Sequence, residues 1–200
     1  METTNKKVRI RLTSKMLGTV PKDKEVYATH IATKKRDMTT EELDKELETI
    51  EEIEEKGWTG FHKNENGIFI YSYMIKGFLK SATGVLMATG TIKKIPAYKK
   101  WFDLLVFVSP KEISLDGKTE PDGILERSIR MMTPAGPRTA LARSDVVNAG
   151  TELEFEIKLL KNTKKIDMDL IDLCLGYGGY VGLGQWRGSG GYGQFEVIAE

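Results

Sequence analysis

The chain has 200 residues, of which 40% are hydrophobic and 30% are charged, and its formal net charge is +1. This composition is typical of a soluble globular protein, since no apolar run approaches the roughly 18 residues of a membrane helix and the opening METTNKKVRIRL lacks the apolar core of a signal peptide. The single cysteine, Cys174, excludes an internal disulfide and no Cys/His cluster indicates zinc, so we expect a cytoplasmic protein without a metal or cofactor.

The small net charge conceals an uneven distribution. Residues 37–55 (DMTTEELDKELETIEEIEE) contain ten acidic residues and one basic residue, which leaves a net charge of +10 on the other 181 residues. A basic body is the charge pattern of a protein that binds a polyanion such as nucleic acid. Charge that serves only solubility is the alternative interpretation, and composition does not separate the two.

The first predicted element is a strand. Val8, Ile10 and Leu12 alternate with basic residues, which predicts a strand within residues 7–18 whose outer face is basic. Residues 19–37 are polar, rich in lysine and arginine, and only weakly patterned. We interpret them as a long loop with a short strand.

An acidic helix is predicted next. Thr39 and Glu42 form a capping box, and apolar residues follow at helical spacing, so we expect a helix over 40–56 that ends at Gly57. The resulting acidic insertion, at about 37–57, has two interpretations. It is a solvated amphipathic helix, or it is a charge mimic that covers a basic groove or binds a protein partner.

The remaining patterns mix strands and helices without regular alternation. Strands are predicted at 68–75, 101–108, 111–115, 126–132, 151–160 and 193–199. Helices are predicted at 76–87 and at 165–179, with Cys174 in the core, a turn at NENG (64–67) and a loop at 133–145. This order favours an α+β fold: a modified ferredoxin-like or RNA-recognition-like antiparallel sheet with helices and inserted loops, in a single domain over 1–200.

A glycine-rich segment precedes the last predicted strand. Six of the sixteen residues in GLGQWRGSGGYGQFEV (182–197) are glycine, which lets backbone N–H groups converge on an anion. Arg187, Trp186 and Tyr192 suit phosphate pairing and base stacking. The segment follows a helix and lacks a Gly-Lys-Ser/Thr triplet, which argues against a mononucleotide site. We interpret it as a clamp on a phosphate backbone, with a flexible surface loop as the alternative.

This segment resembles the glycine-rich element near the C-terminus of the RAMP superfamily, the CRISPR-associated RNA-binding proteins. NENGIFIYSYMIKGFLKSA (64–82) is similar to the family's turn, strand and lysine-glycine helix start. RSIRMMTPAGPRTALARSDVVNAGTELEFEI (127–157) resembles the block in which an arginine-bearing strand and a flexible loop lead into a Gly-Thr strand. The resemblance covers about residues 7–18 and 58–199, in the family's order, and is closest to the backbone subunit of type III effector complexes.

The resemblance implies a protein that coats single-stranded nucleic acid, often side by side with copies of itself. It implies nucleic-acid contacts in all three segments, at Lys76, Lys80, Arg127, Arg130, Arg138, Arg143, Gly184, Arg187, Gly190 and Gly193. The chain departs from the family at Tyr73–Ile75, where the family has Gly-Ser-Ser, and in its acidic insertion. A stand-alone protein of a phage or other mobile element fits, as does an inhibitor that imitates such a subunit.

Two classes of the superfamily cut RNA, and each suggests candidate catalytic residues. One uses an early histidine as general base on a 2′-hydroxyl, for which His30 is the candidate; His62 is interpreted as a structural or surface residue. The other uses an aspartate after the first strand, where Asp23 and Asp37 lie without a matching motif. We expect a non-catalytic binder of single-stranded RNA or DNA, with a metal-independent endoribonuclease and a protein-interaction module as alternatives.

Overall fold

The computed structural model of the protein describes residues 2–25, 27–28, 39–48, 50, 57–133 and 136–198. The chain forms two compact units. The first unit comprises Met1–Met16, Ile70–Asp116 and Asn148–Glu200, and the second comprises Leu17–Phe69 and Gly117–Val147. The second unit is therefore made of two insertions into the first. The single domain expected over the whole chain stays a prediction.

The described strands and helices have the following bounds. The strands are β1 (Thr3–Leu12), β2 (Met16–Leu17), β3 (Val20–Pro21), β4 (Trp58–Gly60), β5 (His62–Asn64), β6 (Gly67–Tyr71), β7 (Val106–Ser109), β8 (Glu112–Ser114), β9 (Gly123–Thr133), β10 (Gly136–Val147), β11 (Glu152–Leu160) and β12 (Phe195–Ile198). The helices are α1 (Thr40–Glu48), α2 (Ser72–Ala88), α3 (Tyr98–Leu105) and α4 (Met168–Gly176). Short 3₁₀ turns cover Tyr177–Gly179 and Gly188–Gly190.

A four-stranded antiparallel sheet organises the first unit, in the order β12-β1-β11-β7. Leaving out α3 and β8, which are additions, the elements of this unit follow the chain order β1, α2, β7, β11, α4 and β12. A β-α-β-β-α-β order is characteristic of ferredoxin-like folds. The predicted α+β class, with an antiparallel sheet, helices and inserted segments, is confirmed.

Apolar side chains of β1 and α2 build the core of the first unit. Val8, Ile10 and Leu12 are at most 3% exposed, which confirms the predicted alternation in β1. Phe78 of α2 packs edge-on against Phe195 of β12, with 5.1 Å between the ring centroids. Because aromatic burial contributes strongly to packing, this contact fixes α2 on the end of the sheet next to the glycine-rich segment.

The second unit is built around a long hairpin of β9 and β10. The two strands pair from Gly136↔Thr133 to Val146↔Gly123. Strand β4 lies parallel to β10, and β3 is antiparallel to β4. The predicted NENG turn is confirmed between β5 and β6, where Asn64 Oδ1 accepts a hydrogen bond from the Asn66 N–H at 2.8 Å.

Among the described residues, three elements predicted from short apolar or glycine-broken runs are wrong, because such runs fit more than one structure. Residues 72–75, predicted as strand, open α2, where Ile75 is buried on the same face as the later apolar residues. Residues 101–105, also predicted as strand, belong to α3, where Phe102 is fully buried. Residues 136–145, predicted as a loop, lie in β10, because pairing with β9 outweighs the low strand propensity of glycine and proline.

The basic outer face predicted for β1 is neutralised by its neighbouring strands. Arg9 and Arg11 both form ion pairs with Glu152 of β11, each at 2.7 Å. Glu154 lies 3.0 Å from Arg9, and Glu196 lies 3.9 Å from Arg11. The hydrogen bond from Arg11 is the main cause that lowers the pKa of Glu152. The arginines of β1 are thus matched by carboxylates and leave little positive charge for a ligand.

The acidic helix begins where the capping box predicts. Helix α1 covers Thr40–Glu48, and residues 49 and 51–56 of the predicted 40–56 lie outside the described residues. Leu47 packs against a small buried cluster of Val20, Tyr27 and Ile50. The helix is therefore amphipathic, with one face packed on its own unit.

One carboxylate of this helix is buried. Glu46 is 2% exposed and accepts a hydrogen bond from the Tyr27 hydroxyl at 2.9 Å. The same hydroxyl lies 3.4 Å from His62 Nε2, and the His62 ring stacks on Phe69 at 5.6 Å. His62 is 1% exposed, so of its two interpretations, a structural or a surface residue, burial excludes the second.

Cys174 lies in the core, as predicted. Its side chain is fully buried, and burial raises the pKa of its thiol to about 11. Thr83 Oγ1 lies 3.2 Å from the sulfur. The thiol is therefore protonated at neutral pH and is a packing residue rather than a nucleophile.

Candidate nucleic-acid interface

The glycine loop, residues 182–193, is closed at its neck by backbone contacts. The Leu183 N–H donates to the Gly193 carbonyl at 2.8 Å, and the Gly193 N–H donates to the Lys15 carbonyl at 2.7 Å. A Cβ at Gly182 would lie 1.9 Å from the Gly193 carbonyl carbon, and a Cβ at Gly193 would lie 1.8 Å from the Leu183 oxygen. Only glycine permits this approach. The Gly193 N–H is occupied by the Lys15 carbonyl, so this glycine fixes the shape of the loop.

The loop presents an aromatic and a cation at its exposed end. Trp186 is 39% exposed and has a left-handed backbone with φ of 56°, and Arg187 beside it is exposed. Gly184 has a φ of 83°, which favours glycine. A Cβ at Gly190 would lie 3.1 Å from Trp186 Cβ and 3.3 Å from the ring of half-buried Tyr192. The structure therefore brings the predicted residues of this segment into one closed loop.

Lys76 and Lys80 lie one turn apart on α2 but differ in their surroundings. Lys80 is paired with the carboxylate of Asp103. Lys76 Nζ lies 5.4 Å from the centroid of the Phe107 ring and has no ion pair with any described residue. Burial lowers the pKa of Lys76, while the charge of Asp103 raises it and that of Lys80 lowers it. Of the two lysines, Lys80 forms the ion pair with Asp103, and Lys76 interacts with that carboxylate without an ion pair.

The predicted arginines of the second unit lie on the β9–β10 hairpin but do not share one face. In the register, Arg143 pairs with Glu126 and Thr139 pairs with Arg130, so Arg130 and Arg143 lie on the same face. Arg127 is an odd number of residues from Arg130 along β9 and lies on the other face. Arg138 is described by its backbone alone, opposite Met131. The expected contacts are thus divided between two faces.

Arg143 is held by neighbours that sequence reasoning missed. Its Nε donates to Glu126 Oε1 at 2.6 Å, and its guanidinium lies 5.6 Å from the centroid of the Trp58 ring. Trp58 Nε1 donates to Asp145 Oδ1 at 2.8 Å, and Asp145 Oδ2 pairs with Lys22 at 2.9 Å. These residues are far apart in sequence and carry no motif, so only the fold reveals the cluster.

The Lys22–Asp145 ion pair is buried, with the two side chains 8% and 5% exposed. Lys22 Nζ also lies 5.0 Å from the centroid of the Trp58 ring. A Cβ at Gly60 would lie 2.5 Å from Asp145 Oδ2 and 2.6 Å from Lys22 Cε, so a glycine makes room for the pair. The pair fixes Trp58, and through Trp58 it supports the position of Arg143.

The catalytic candidates stay predictions. His30 and Asp37 lie outside the described residues. Asp23 Oδ1 accepts a hydrogen bond from the Glu25 N–H at 3.0 Å, which is a turn-capping contact. Across the described ranges, no group of three or more His, Cys, Asp or Glu side chains is arranged to hold a metal ion. Within the same ranges, no helix is long and apolar enough to cross a bilayer.

Comparison with known proteins finds similarity among solved structures. No family model matches the chain, and no curated protein matches it. Among solved structures, the chain is similar to a chain of the cryo-EM structure of the Type III-B Cmr-beta bound to cognate target RNA. The sequence identity is 13%, the TM-score is 0.49, and the similarity covers 99% of this chain and 60% of that chain.

Proposed function

We propose that the protein binds single-stranded nucleic acid without cutting it, and that the glycine loop holds the phosphate backbone. The observation that carries this proposal is Arg187, an exposed cation without an ion pair to any described residue, next to the exposed Trp186. A guanidinium pairs with phosphate and an indole stacks on a base, and this combination binds single strands with little sequence preference. Lys76 of the same unit supplies a further phosphate contact, and the contacts expected of the hairpin arginines stay a prediction.

The rigid neck supports the same proposal. A loop that must order itself on binding loses affinity to the entropy of ordering. The backbone bonds of Leu183 and Gly193 hold the ends of the loop together before any ligand arrives. The loop that carries Trp186 and Arg187 is thereby held at both ends, although it is rich in glycine.

Replacing Arg187 by alanine is expected to weaken binding of a labelled single-stranded oligonucleotide about tenfold, because a hydrogen bond to a charged group contributes about 1.5–3 kcal/mol. The slope of log affinity against log salt should fall in magnitude by about 0.7, the value for one phosphate contact on a single strand. Fluorescence anisotropy at several salt concentrations measures both quantities, for RNA and for DNA of the same sequence.

Arg9→Ala is the matched control, because it removes the same charge from an arginine already paired with Glu152 and Glu154. Equal affinities for the two variants would exclude the glycine loop as a contact. Absence of binding by the wild type at low salt would exclude the proposed function. The RNA samples, run on a denaturing gel beside His30→Ala, show whether the strand is cut.

Side-by-side assembly along the strand is part of the proposal and has its own measurement. Light scattering of saturating protein on oligonucleotides of increasing length should show a mass that rises in steps of one protein chain. If an oligonucleotide long enough for several proteins still carries only one, side-by-side assembly is contradicted. Binding of single-stranded nucleic acid itself would be unaffected by that result.

A further inference from the structure

Two lysine-rich loops of the first unit meet at Trp101. Residues 93–100 (KKIPAYKK) precede and enter α3, and residues 161–165 (KNTKK) follow β11. Between them lies a cavity of about 400 Å³, the Trp101 pocket. Its lining consists of Lys94, Trp101, Thr163, Lys164, Lys165 and the short segment 95–97.

The Trp101 pocket is cationic, and no acidic side chain of the described residues lines it. None of Lys94, Lys164 and Lys165 forms an ion pair with a described residue, and the same is true of the flanking Lys93, Lys99 and Lys100. Lys161, at the start of the second loop and outside the lining, is paired with Glu2, and elsewhere in the unit Lys6 is paired with Asp172. Lysines gathered without counter-charges repel one another, and a bound anion relieves that repulsion.

The indole ring gives the pocket a second property. Lys164 Nζ lies 4.6 Å and Lys100 Nζ 5.7 Å from the centroid of the Trp101 ring, so two ammonium groups are positioned at an aromatic surface. Ile95 and Pro96 add an apolar wall. Aromatic and apolar surface beside lysines suits a planar base and its phosphate better than it suits an acidic peptide.

The backbone on both walls is unusual. Ala97, at the start of α3, has a φ of 53°, and Lys165, in the opposite loop, has a φ of 60°. A left-handed backbone is unfavourable for residues with a Cβ and clusters at functional sites. Each conformation helps to set a wall of the cavity, which supports a built pocket.

We infer that the Trp101 pocket is a second contact for the phosphates and one base of a single-stranded nucleic acid, distinct from the glycine loop. This inference rests on the proposed function, since it concerns the same ligand class. A cavity of this size lies in the range that holds a nucleotide-sized group. The pocket thus gives the bound nucleic acid a contact on another part of the first unit.

The test uses the full chain and the triple variant Lys94→Gln/Lys164→Gln/Lys165→Gln. Anisotropy with a labelled single-stranded oligonucleotide should show at least a tenfold loss of affinity at low salt. The salt slope should fall in magnitude by about 2, since each phosphate contact on a single strand contributes about 0.7. The control is Lys6→Gln/Lys63→Gln/Lys118→Gln, which removes the same charge from lysines paired with Asp172, Glu120 and Asp122.

Tryptophan fluorescence supplies a second readout. Addition of the oligonucleotide should quench emission, and Trp101→Phe should remove part of that quenching. Suppose that the wild type binds, that Arg187→Ala weakens binding and that the two triple lysine variants have equal affinities. The inference about the Trp101 pocket is then overturned, while the proposed function stands. If the wild type does not bind, both are overturned. A free nucleoside monophosphate that quenches Trp101 with the same affinity as the oligonucleotide would overturn the assignment of the pocket to single-stranded nucleic acid.

Discussion

Replacing Asp145 by alanine is expected to lower the free energy of unfolding by about 3–5 kcal/mol, the usual cost of removing one partner from a buried ion pair. The Asp145 side chain is 5% exposed; it pairs with Lys22 at 2.9 Å and accepts the Trp58 Nε1 hydrogen bond at 2.8 Å. The alanine variant leaves the Lys22 ammonium buried without this carboxylate and deprives the indole N–H of its acceptor. Urea unfolding followed by circular dichroism measures the loss.

Two further variants separate burial from charge. Glu2→Ala breaks a pair with Lys161 in which both side chains are more than 70% exposed, so its cost should be about 0–1 kcal/mol. The double variant Lys22→Met/Asp145→Asn removes both charges and keeps an acceptor for Trp58, so it should recover part of the loss. A loss below about 1 kcal/mol in Asp145→Ala would show that the pair does not stabilise the fold.

Replacing Gly193 by alanine is expected to lower the free energy of unfolding by about 3 kcal/mol and to weaken binding of single-stranded nucleic acid. Its φ of 68° costs a residue with a Cβ about 1–2 kcal/mol, and the new Cβ would lie 1.8 Å from the Leu183 oxygen and 2.8 Å from the Leu183 carbonyl carbon. Both are backbone atoms, so the neck of the glycine loop must open to admit the methyl group. Unfolding in urea and anisotropy on the same sample measure the two effects.

Gly191→Ala is the matched control, since Gly191 has a φ of 69° in the same loop and a Cβ there would meet nothing within 4 Å. The free energy of unfolding should fall only by the about 1–2 kcal/mol that a left-handed backbone costs a residue with a Cβ, and the neck should stay closed. Equal losses in the two variants would show that the close approach of Gly193 to Leu183 contributes nothing beyond backbone conformation.

Elements with a single strong pattern could be predicted from the sequence. Strand β1 and strand β11 alternate strictly, and the helix that carries Cys174 has one continuous apolar face. Residues 101–105 were wrongly predicted as strand, because an apolar run of that length fits a buried strand as well as a helix. Strand β10 was missed because its stability comes from pairing with β9, a tertiary effect that overrides the low strand propensity of Gly136 and Pro137.

The candidate site was only partly readable from the sequence. The glycines, Trp186 and Arg187 are contiguous, so their composition pointed to one loop. That Gly193 serves the neck was not visible, because Leu183 and Lys15, its hydrogen-bond partners, are fixed by the fold. The outward arginines of β1 show the limit of a prediction from charge: the sequence predicted a basic outer face, but both arginines pair with Glu152, and no local sequence pattern indicates a partner on another strand.

The interrupted path of the second unit has a consequence for the order of folding. Strands β9 and β10 are joined across Thr133 and Gly136, so their hairpin is local and can form within about 1–10 μs. The Trp58–Asp145 hydrogen bond joins residues 87 positions apart, with Ile70–Asp116 of the first unit between them in the chain. Closing so long a loop carries an entropy cost that local contacts avoid. We therefore expect the hairpin to form before the buried ion pair, and loss of that pair to accelerate unfolding more than it slows folding.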